Sequence, residues 1–321
     1  MRILIALGGN AMTGEDGDAT AQAQQAAVEV AMERVAALVA QGHEVVLTHG
    51  NGPQVGNLFV KNELAAHVVP PVGLDWCVAQ TQATIGFMIA NALERSLASY
   101  DVARSVATIV TRTRVDENDP LLTHPTKPIG RYVSHQEAEQ LAARGQVFED
   151  RGEKGWRRVV ASPEPRETLD AGAIETLARS GCIVVASGGG GIPVVRDTDG
   201  TVRGVEAVID KDLAAALLAR TVSADLLLIA TDVDGAVIGF GTPQQRVLGR
   251  VSVDELRAYA EADNFTSGSM GPKVEAAMDY VAGGGGSAAI TSLHRIVEAV
   301  SGQAGTIVTP STSGSLAPVR S

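Results

Sequence analysis

The chain has 321 residues, 45% of them hydrophobic and 35 of them glycine, a composition that folds rather than staying disordered. Lys plus Arg number 26 against 37 Asp plus Glu, a net charge of −11, which excludes a nucleic-acid surface as the main role. No apolar run nears the roughly 18 residues of a membrane span, and two cysteines, Cys77 and Cys182, make no disulfide framework.

Taken in chain order, short β-rich runs alternate with alanine-rich helical patterns. Ile3–Leu7 reads as a strand buried on both faces, ending too soon at Gly8-Gly9-Asn10 for a signal peptide. Gln22–Gln41 reads as a helix stopped by Gly42, and Glu44–Thr48 as the next strand. Asp75 is expected to cap a long helix to about Leu97, followed by a strand over Ala103–Val110. From about Thr113 to Arg166 the chain is more polar and carries five prolines. Within it, Ser134–Ala143 reads as a short helix with a capping box of Ser134 and Glu137. Gln146–Asp150 and Trp156–Val160 read as a hairpin. This stretch is expected to be a small subdomain inserted into the sheet domain.

The alternation then resumes. Cys182–Ala186, Asp225–Ala230 and Ser287–Thr291 read as buried strands, separated by helices at about Asp212–Val222, Ser252–Ala260 and Pro272–Val281. Ser252 and Glu255 form a capping box, and Pro272 suits a first helical position. The tail after Val308 is expected to be frayed. Such an order predicts a mainly parallel sheet covered on both faces, with ligands beyond the carboxyl ends of its strands.

Three predicted strands end in glycine clusters: Gly8-Gly9-Asn10, His49-Gly50-Asn51-Gly52-Pro53 and Gly188–Gly191. Glycine lets backbone N–H groups approach an anion closely, and a helix N-terminus beside it adds favourable potential. Three such turns on one sheet edge point to phosphate or another anion. The spacing matches neither a P-loop nor a dinucleotide fingerprint. A second tetraglycine, Gly283–Gly286, enters a strand and reads as a plain turn at the opposite edge. Lys127, Lys211 and Lys273 sit among turn-forming residues or at helix starts, where a lysine can aim a point charge at phosphate. Asp210, beside Lys211, suits both a helix cap and a lysine-positioning role. Asp232 and Asp234 follow a buried strand; metal ligation and a turn or cap role are both open to them. The six histidines show no zinc spacing, and His49 reads as a packed ring.

These segments resemble carbamate kinases of the amino acid kinase family. The resemblance rests on Ala6–Ala11, Thr48–Gly56, Pro125-Thr126-Lys127-Pro128-Ile129-Gly130, Ser162–Pro165, Gly188–Pro193, Ala207–Asp212 and Gly268-Ser269-Met270-Gly271-Pro272-Lys273, and runs from Ile3 to about Val308. It implies a three-layer α/β/α sandwich around a central, mainly parallel eight-stranded sheet, with a protruding subdomain at about 113–166. The part to about residue 220 would hold the carbamate site and about 221–310 the nucleotide site. The implied reaction is ATP + carbamate ⇌ ADP + carbamoyl phosphate, run mainly toward ATP by a cytoplasmic homodimer without membrane or nucleic-acid partners. Its rivals are a related kinase making another acyl phosphate and a non-catalytic binding protein on the same fold.

By the same resemblance, Gly8, Gly9 and Asn10 would hold the transferring phosphoryl group, and Gly50, Asn51 and Gly52 the carbamate end. Lys127 would close over the phosphoryl group from the subdomain. Lys211 and Lys273 would contact nucleotide phosphates and Asp210 would orient the lysines. Gly188, Gly189, Asp232 and Met270 would lie on the nucleotide side. Mg²⁺ would bridge the nucleotide phosphates, with no direct side-chain ligand. The chain departs from the family in an acidic stretch, Thr13–Asp18, and in the lack of a ring at Gly235–Ile238. Both departures bear on nucleotide binding rather than on phosphoryl transfer.

Overall fold

A computed structural model of the chain describes residues 1–9, 20–265 and 269–311. Its centre is an eight-stranded sheet. The strand order is Arg250–Ser252, Thr306–Thr309, Ser287–Ser292, Leu226–Thr231, Arg2–Leu7, Glu44–His49, Ile183–Val185 and Val106–Thr108. Every pairing is parallel except that of Ser287–Ser292 with Thr306–Thr309. The central strands are apolar on both faces along their middles, as in Ile3–Leu7, Val45–Leu47 and Leu226–Ala230, because alternate side chains must fill two cores. Ile3, Ile5 and Leu7 pack with the helices Ala21–Ala40 and Leu74–Ala98. Leu4 and Ala6 pack on the other face, with the helices Lys211–Thr221 and Met270–Ala282. All five of these strand residues are 0% exposed, so each contributes its full transfer free energy, about 1.5–3 kcal/mol for Leu or Ile. The result is the expected three-layer sandwich. No helix among the described residues is long and apolar enough to cross a membrane.

A four-stranded sheet (Val202–Gly204, Ile192–Arg196, Arg112–Arg114, Glu167–Thr168) flanks the sandwich. Through its antiparallel pair Arg112–Arg114 and Glu167–Thr168 the chain leaves the body and returns to it. Between them lies a separate antiparallel sheet, in the order Lys127–Val133, Trp156–Val160, Val147–Asp150, with the helix His135–Ala142. The Ser134 hydroxyl accepts the Glu137 N–H, which is half of the expected capping box. The Glu137 carboxylate is instead drawn to Arg131. At Ser252–Glu255 both halves of the box are present.

Four expectations need correction. The long helix begins at Leu74, with Gly73 at its N-cap; Asp75 lies inside the first turn. The free Leu74 N–H is met from across the fold, by Glu206 Oε1 at 3.1 Å. The edge strand shortens to Val106–Thr108, as unpaired edges often do. The last long helix starts at Met270, so Pro272 occupies its third position, where the missing N–H still costs no helical bond. A helix absent from the sequence reading, Gly52–Ala65, follows the second glycine turn directly. The tail beyond residue 311 lies outside the described residues. Gly283–Gly286 enters the strand Ser287–Ser292 at the edge opposite the other glycine turns, as expected.

Candidate active site

Parallel strands deliver their C-terminal ends to one edge, and there three glycine turns meet. Gly8 donates its N–H to the Ala230 carbonyl at 3.0 Å, and Gly50 donates to Leu7 at 3.0 Å. A methyl on Gly50 would stand 2.9 Å from the Gly9 nitrogen, so the two turns touch backbone to backbone and only glycine fits. Beside them, Gly189 (φ +67°) lies against the Asn51 side chain. Asn51 is buried, and its Nδ2 donates to Thr81 Oγ1 at 2.9 Å. The Gly188 carbonyl accepts from Gln82 Nε2 at 3.0 Å. Gly188 and Gly189 therefore stand on the Glu44–His49 side of the edge, backed by the long helix. Asn10 lies outside the described residues, as do the acidic stretch and Gly268.

His49 is the ring that packs between these turns. It is 1% exposed, and its Nδ1 lies 3.0 Å from the Gly50 carbonyl, which places the proton on Nδ1. Burial pushes its pKa down to about 4; the Gly50 bond opposes this and the nearby Lys211 charge adds to it.

On the other side of the first strand a pocket of about 400 Å³ opens over the ends of Arg2–Leu7, Leu226–Thr231 and Ser287–Ser292. Gly8, Gly9, Lys211, Asp232 and Lys273 line it. So do Ser269, Ser292 and His294, which the sequence reading passed over. The rule that ligands sit at strand ends would have found Ser292–His294, since they end a buried strand on the same edge. Met270 does not line the pocket; it packs into the core from the first turn of the helix that carries Lys273. Asp234 is turned to Ser292 Oγ, at 2.7 Å, in a structural role. No ring occupies 235–238; Phe240, two residues further on, is 70% exposed.

The three lysines converge through two carboxylates. Lys127 Nζ, from the small sheet, lies 3.0 Å from Asp210 Oδ2. Asp210 Oδ1 caps the helix Lys211–Thr221, accepting the Asp212 N–H at 2.8 Å, so one carboxylate both caps a helix and pairs with a lysine. Burial disfavours the Asp210 anion, but the Lys127 charge and hydrogen bond, with the Asp212 N–H, outweigh it and hold the carboxyl below its usual range. Asp210 does not hold all the lysines. Lys211 and Lys273 are both paired with Asp212, the latter at 3.2 Å. Asp212 is 3% exposed and has no pocket surface of its own. The sequence reading quoted it without a role. Its signal was there, an acid next to a lysine at a helix start. Lys211 and Lys273 thus bring two ammoniums to the pocket beside the backbone N–H groups of the glycine turn, a setting for polyphosphate.

A three-layer α/β/α sandwich with lysines and glycine turns at the C-terminal edge of its mainly parallel sheet is the arrangement of a phosphoryl-transfer protein without a P-loop. The family model for the amino acid kinase family matches residues 1–292, and the chain belongs to that family. It is 44% identical to the carbamate kinase of Pyrococcus horikoshii, over 96% of this chain and 99% of that one. It is 46% identical to the carbamate kinase of Thermococcus kodakarensis, over 96% and 98%. Among solved structures it is similar to carbamate kinase from Giardia lamblia bound to AMP-PNP, with a TM-score of 0.89 and 39% identity over 96% of this chain and 98% of that one.

Proposed function

We propose that the protein is a carbamate kinase, catalysing ATP + carbamate ⇌ ADP + carbamoyl phosphate and working mainly toward ATP. The observation that carries this reading is the Lys127–Asp210 pair. It brings a lysine of the small sheet to the strand ends where Lys211 and Lys273 already stand. In the ATP-forming direction a terminal oxygen of ADP attacks the phosphorus of carbamoyl phosphate. The bond from phosphorus to the carbamoyl oxygen breaks, and its electron pair leaves with carbamate. That leaving group is a stable anion, so no general acid is required. The site's task is alignment and charge neutralisation.

Gly8 and Gly9 line the pocket where the transferred phosphoryl group would lie, with Asn10 next in the chain. Gly50, Asn51 and Gly52 precede or open the helix Gly52–Ala65, whose N-terminus favours the carbamate end. Gly188 and Gly189, which support Asn51, belong with this acceptor side rather than with the nucleotide. Lys211, Lys273 and Asp232 face the pocket for the nucleotide, and Met270 anchors the helix of Lys273. Asp210 and Asp212 are taken up by lysines, a donor set that fits Mg²⁺ carried by the nucleotide phosphates rather than by side chains. Dependence on ADP and ATP suits a cytoplasmic enzyme.

The test is ATP formation by the purified protein from ADP, Mg²⁺ and carbamoyl phosphate, with acetyl phosphate as the comparison donor. Rapid turnover selective for carbamoyl phosphate is expected. Equal or better use of acetyl phosphate would assign the site to another acyl phosphate. No turnover with either donor would leave a binding protein.

A further inference from the structure

A second cavity, of about 630 Å³, lies between the body and the small sheet. It shares no lining residue with the pocket at the strand ends. Phe59 and Glu63 of its wall lie seven and eleven residues beyond Gly52, about 10–16 Å down that helix. Its central side chain is Arg158, on the strand Trp156–Val160. The guanidinium lies over the Phe59 ring, 4.2 Å from its centre, and its Nε is buried with no hydrogen-bond partner among the described residues.

The rest of the wall is unusual in charge. Glu206 and Glu63 act on Arg158 only through space, partly offsetting the cost of burying its charge. Glu206 instead accepts the Leu74 N–H, and Glu63 accepts Gln146 Nε2 at 3.4 Å. Gln146 Oε1 is buried and unpartnered. Two side chains of this lining thus each keep a buried polar atom without a hydrogen-bond partner among the described residues, and the wall around them carries a second arginine, Arg144, and the two carboxylates. Buried groups of this kind are costly unless something pairs with them. A bare anion would answer Arg158 and be repelled by the two acids, and a metal cation would meet the reverse. A small zwitterion answers both.

We propose that this crevice binds a neutral α-amino acid. Its carboxylate would pair with Arg158, its ammonium with Gln146 Oε1 and the two acids, and its side chain would lie against Val72, Leu122 and Val160. The site is regulatory in position. Arg158 pairs with Ile129 across the small sheet, and Val160 pairs with Lys127. An occupant held by both walls therefore sets where Lys127 stands relative to Asp210. The binding claim is independent of the carbamate kinase reading; only the effect on turnover rests on it.

The test is thermal melting of the full chain with each of the twenty common L-amino acids, then titration of those that shift it. At least one neutral amino acid should raise Tm saturably. Its deaminated and decarboxylated analogues should each bind about tenfold or more weakly, for loss of one charged contact. Arg158→Met should weaken binding by about 10–100-fold. Gln146→Leu, just before the strand that pairs with that of Arg158 in the small sheet, should weaken it by about tenfold and serves if the arginine variant fails to fold. No shift with any amino acid overturns the proposal. So does binding that survives both substitutions, or a deaminated analogue that binds as well as its parent.

Discussion

Lys127 is held at the site by a carboxylate that is itself tied down. Asp210 spends one oxygen on the helix it caps and offers the other to the lysine, so the lysine's target is fixed before any substrate arrives. On the proposed reading, replacing Lys127 by Ala removes a charge that would act on the transferring phosphoryl group. A fall in kcat of about 10²–10³ is expected, by analogy with losing an oxyanion-hole donor. ADP affinity, measured by calorimetry, should stay near that of the parent. An unchanged kcat would remove Lys127 from the reaction. Asp212 poses a different problem, because two lysines share it and it is nearly sealed from water. Asp212→Asn keeps the shape and deletes the charge, leaving Lys273, itself 7% exposed, without its carboxylate. Breaking such a buried pair costs about 3–5 kcal/mol, so urea denaturation should show a large loss for Asp212→Asn. The loss for Asp210→Asn should be smaller, since Lys127 is partly exposed and can turn to water. Equal losses would mean that Asp212 is not the shared anchor.

At the scale of elements, strands and helices were legible wherever one period dominated. Past Arg2 the strand Arg2–Leu7 is apolar because neither face meets water, and the helix Ala21–Ala40 beside it buries Val28, Met32, Val35 and Val39 along one face. The helix Gly52–Ala65 was hidden for a physical reason. It opens with glycine and proline, fully buries only Val55 and Gly56, and packs Gly56 against Gly130 of the small sheet, so its apolar stripe is short, Val55 with the half-buried Leu58 and Phe59. The glycine turns were legible as a shared edge, but not their order along it. That order depends on which strands pair, so Gly188 and Gly189 came to rest against Asn51 rather than beside the pocket. His49 locks two of these turns, and this carries a pH signature. Its folded pKa of about 4 lies below the ordinary 6.5. Above pH 6.5 neither state is protonated and the ring has no pH effect. Between 6.5 and 4 the unfolded chain takes a proton that the native one refuses, so stability falls with pH, by about 3 kcal/mol in all. Below 4 both states carry the proton and this loss stops. His49→Gln should flatten that limb, read as a smaller difference between urea midpoints at pH 7 and pH 4.5. A limb of unchanged steepness would show that His49 titrates normally in the native protein.

At the scale of the molecule, Lys127 comes from the small sheet and Lys211 and Lys273 from the sandwich, two parts joined by a shared cluster that includes Val55, Leu74, Cys77, Ile129 and Val160. Among the exposed apolar side chains, two are aligned on one helix. Trp76 and Phe87 are 64% and 65% exposed on the long helix Leu74–Ala98. They are eleven residues apart, which places them about 20° apart around the helix axis, in one line. Large apolar groups aligned on an exposed face mark an interface. The same helix packs on the edge strand Val106–Thr108, where a methyl on Gly86 would meet the Thr108 side chain. Helix face and sheet edge thus form one continuous surface, suited to a twofold contact in which each copy presents the same helix. The inner side of that helix carries Thr81 and Gln82, which brace Asn51 and the Gly188 turn. A dimer built on this helix would therefore stiffen the acceptor side of both sites. The parent protein should run in solution at twice its chain mass of 33.2 kDa. Trp76→Glu with Phe87→Glu should run as a monomer by light scattering. Because Lys127, Asp210, Lys211 and Lys273 meet within one chain, the monomer should still turn over, with a raised KM for carbamoyl phosphate as the brace loosens. A double variant that stays at twice the chain mass would place the dimer contact elsewhere, and a monomeric variant with an unchanged KM would uncouple the interface from the acceptor turns.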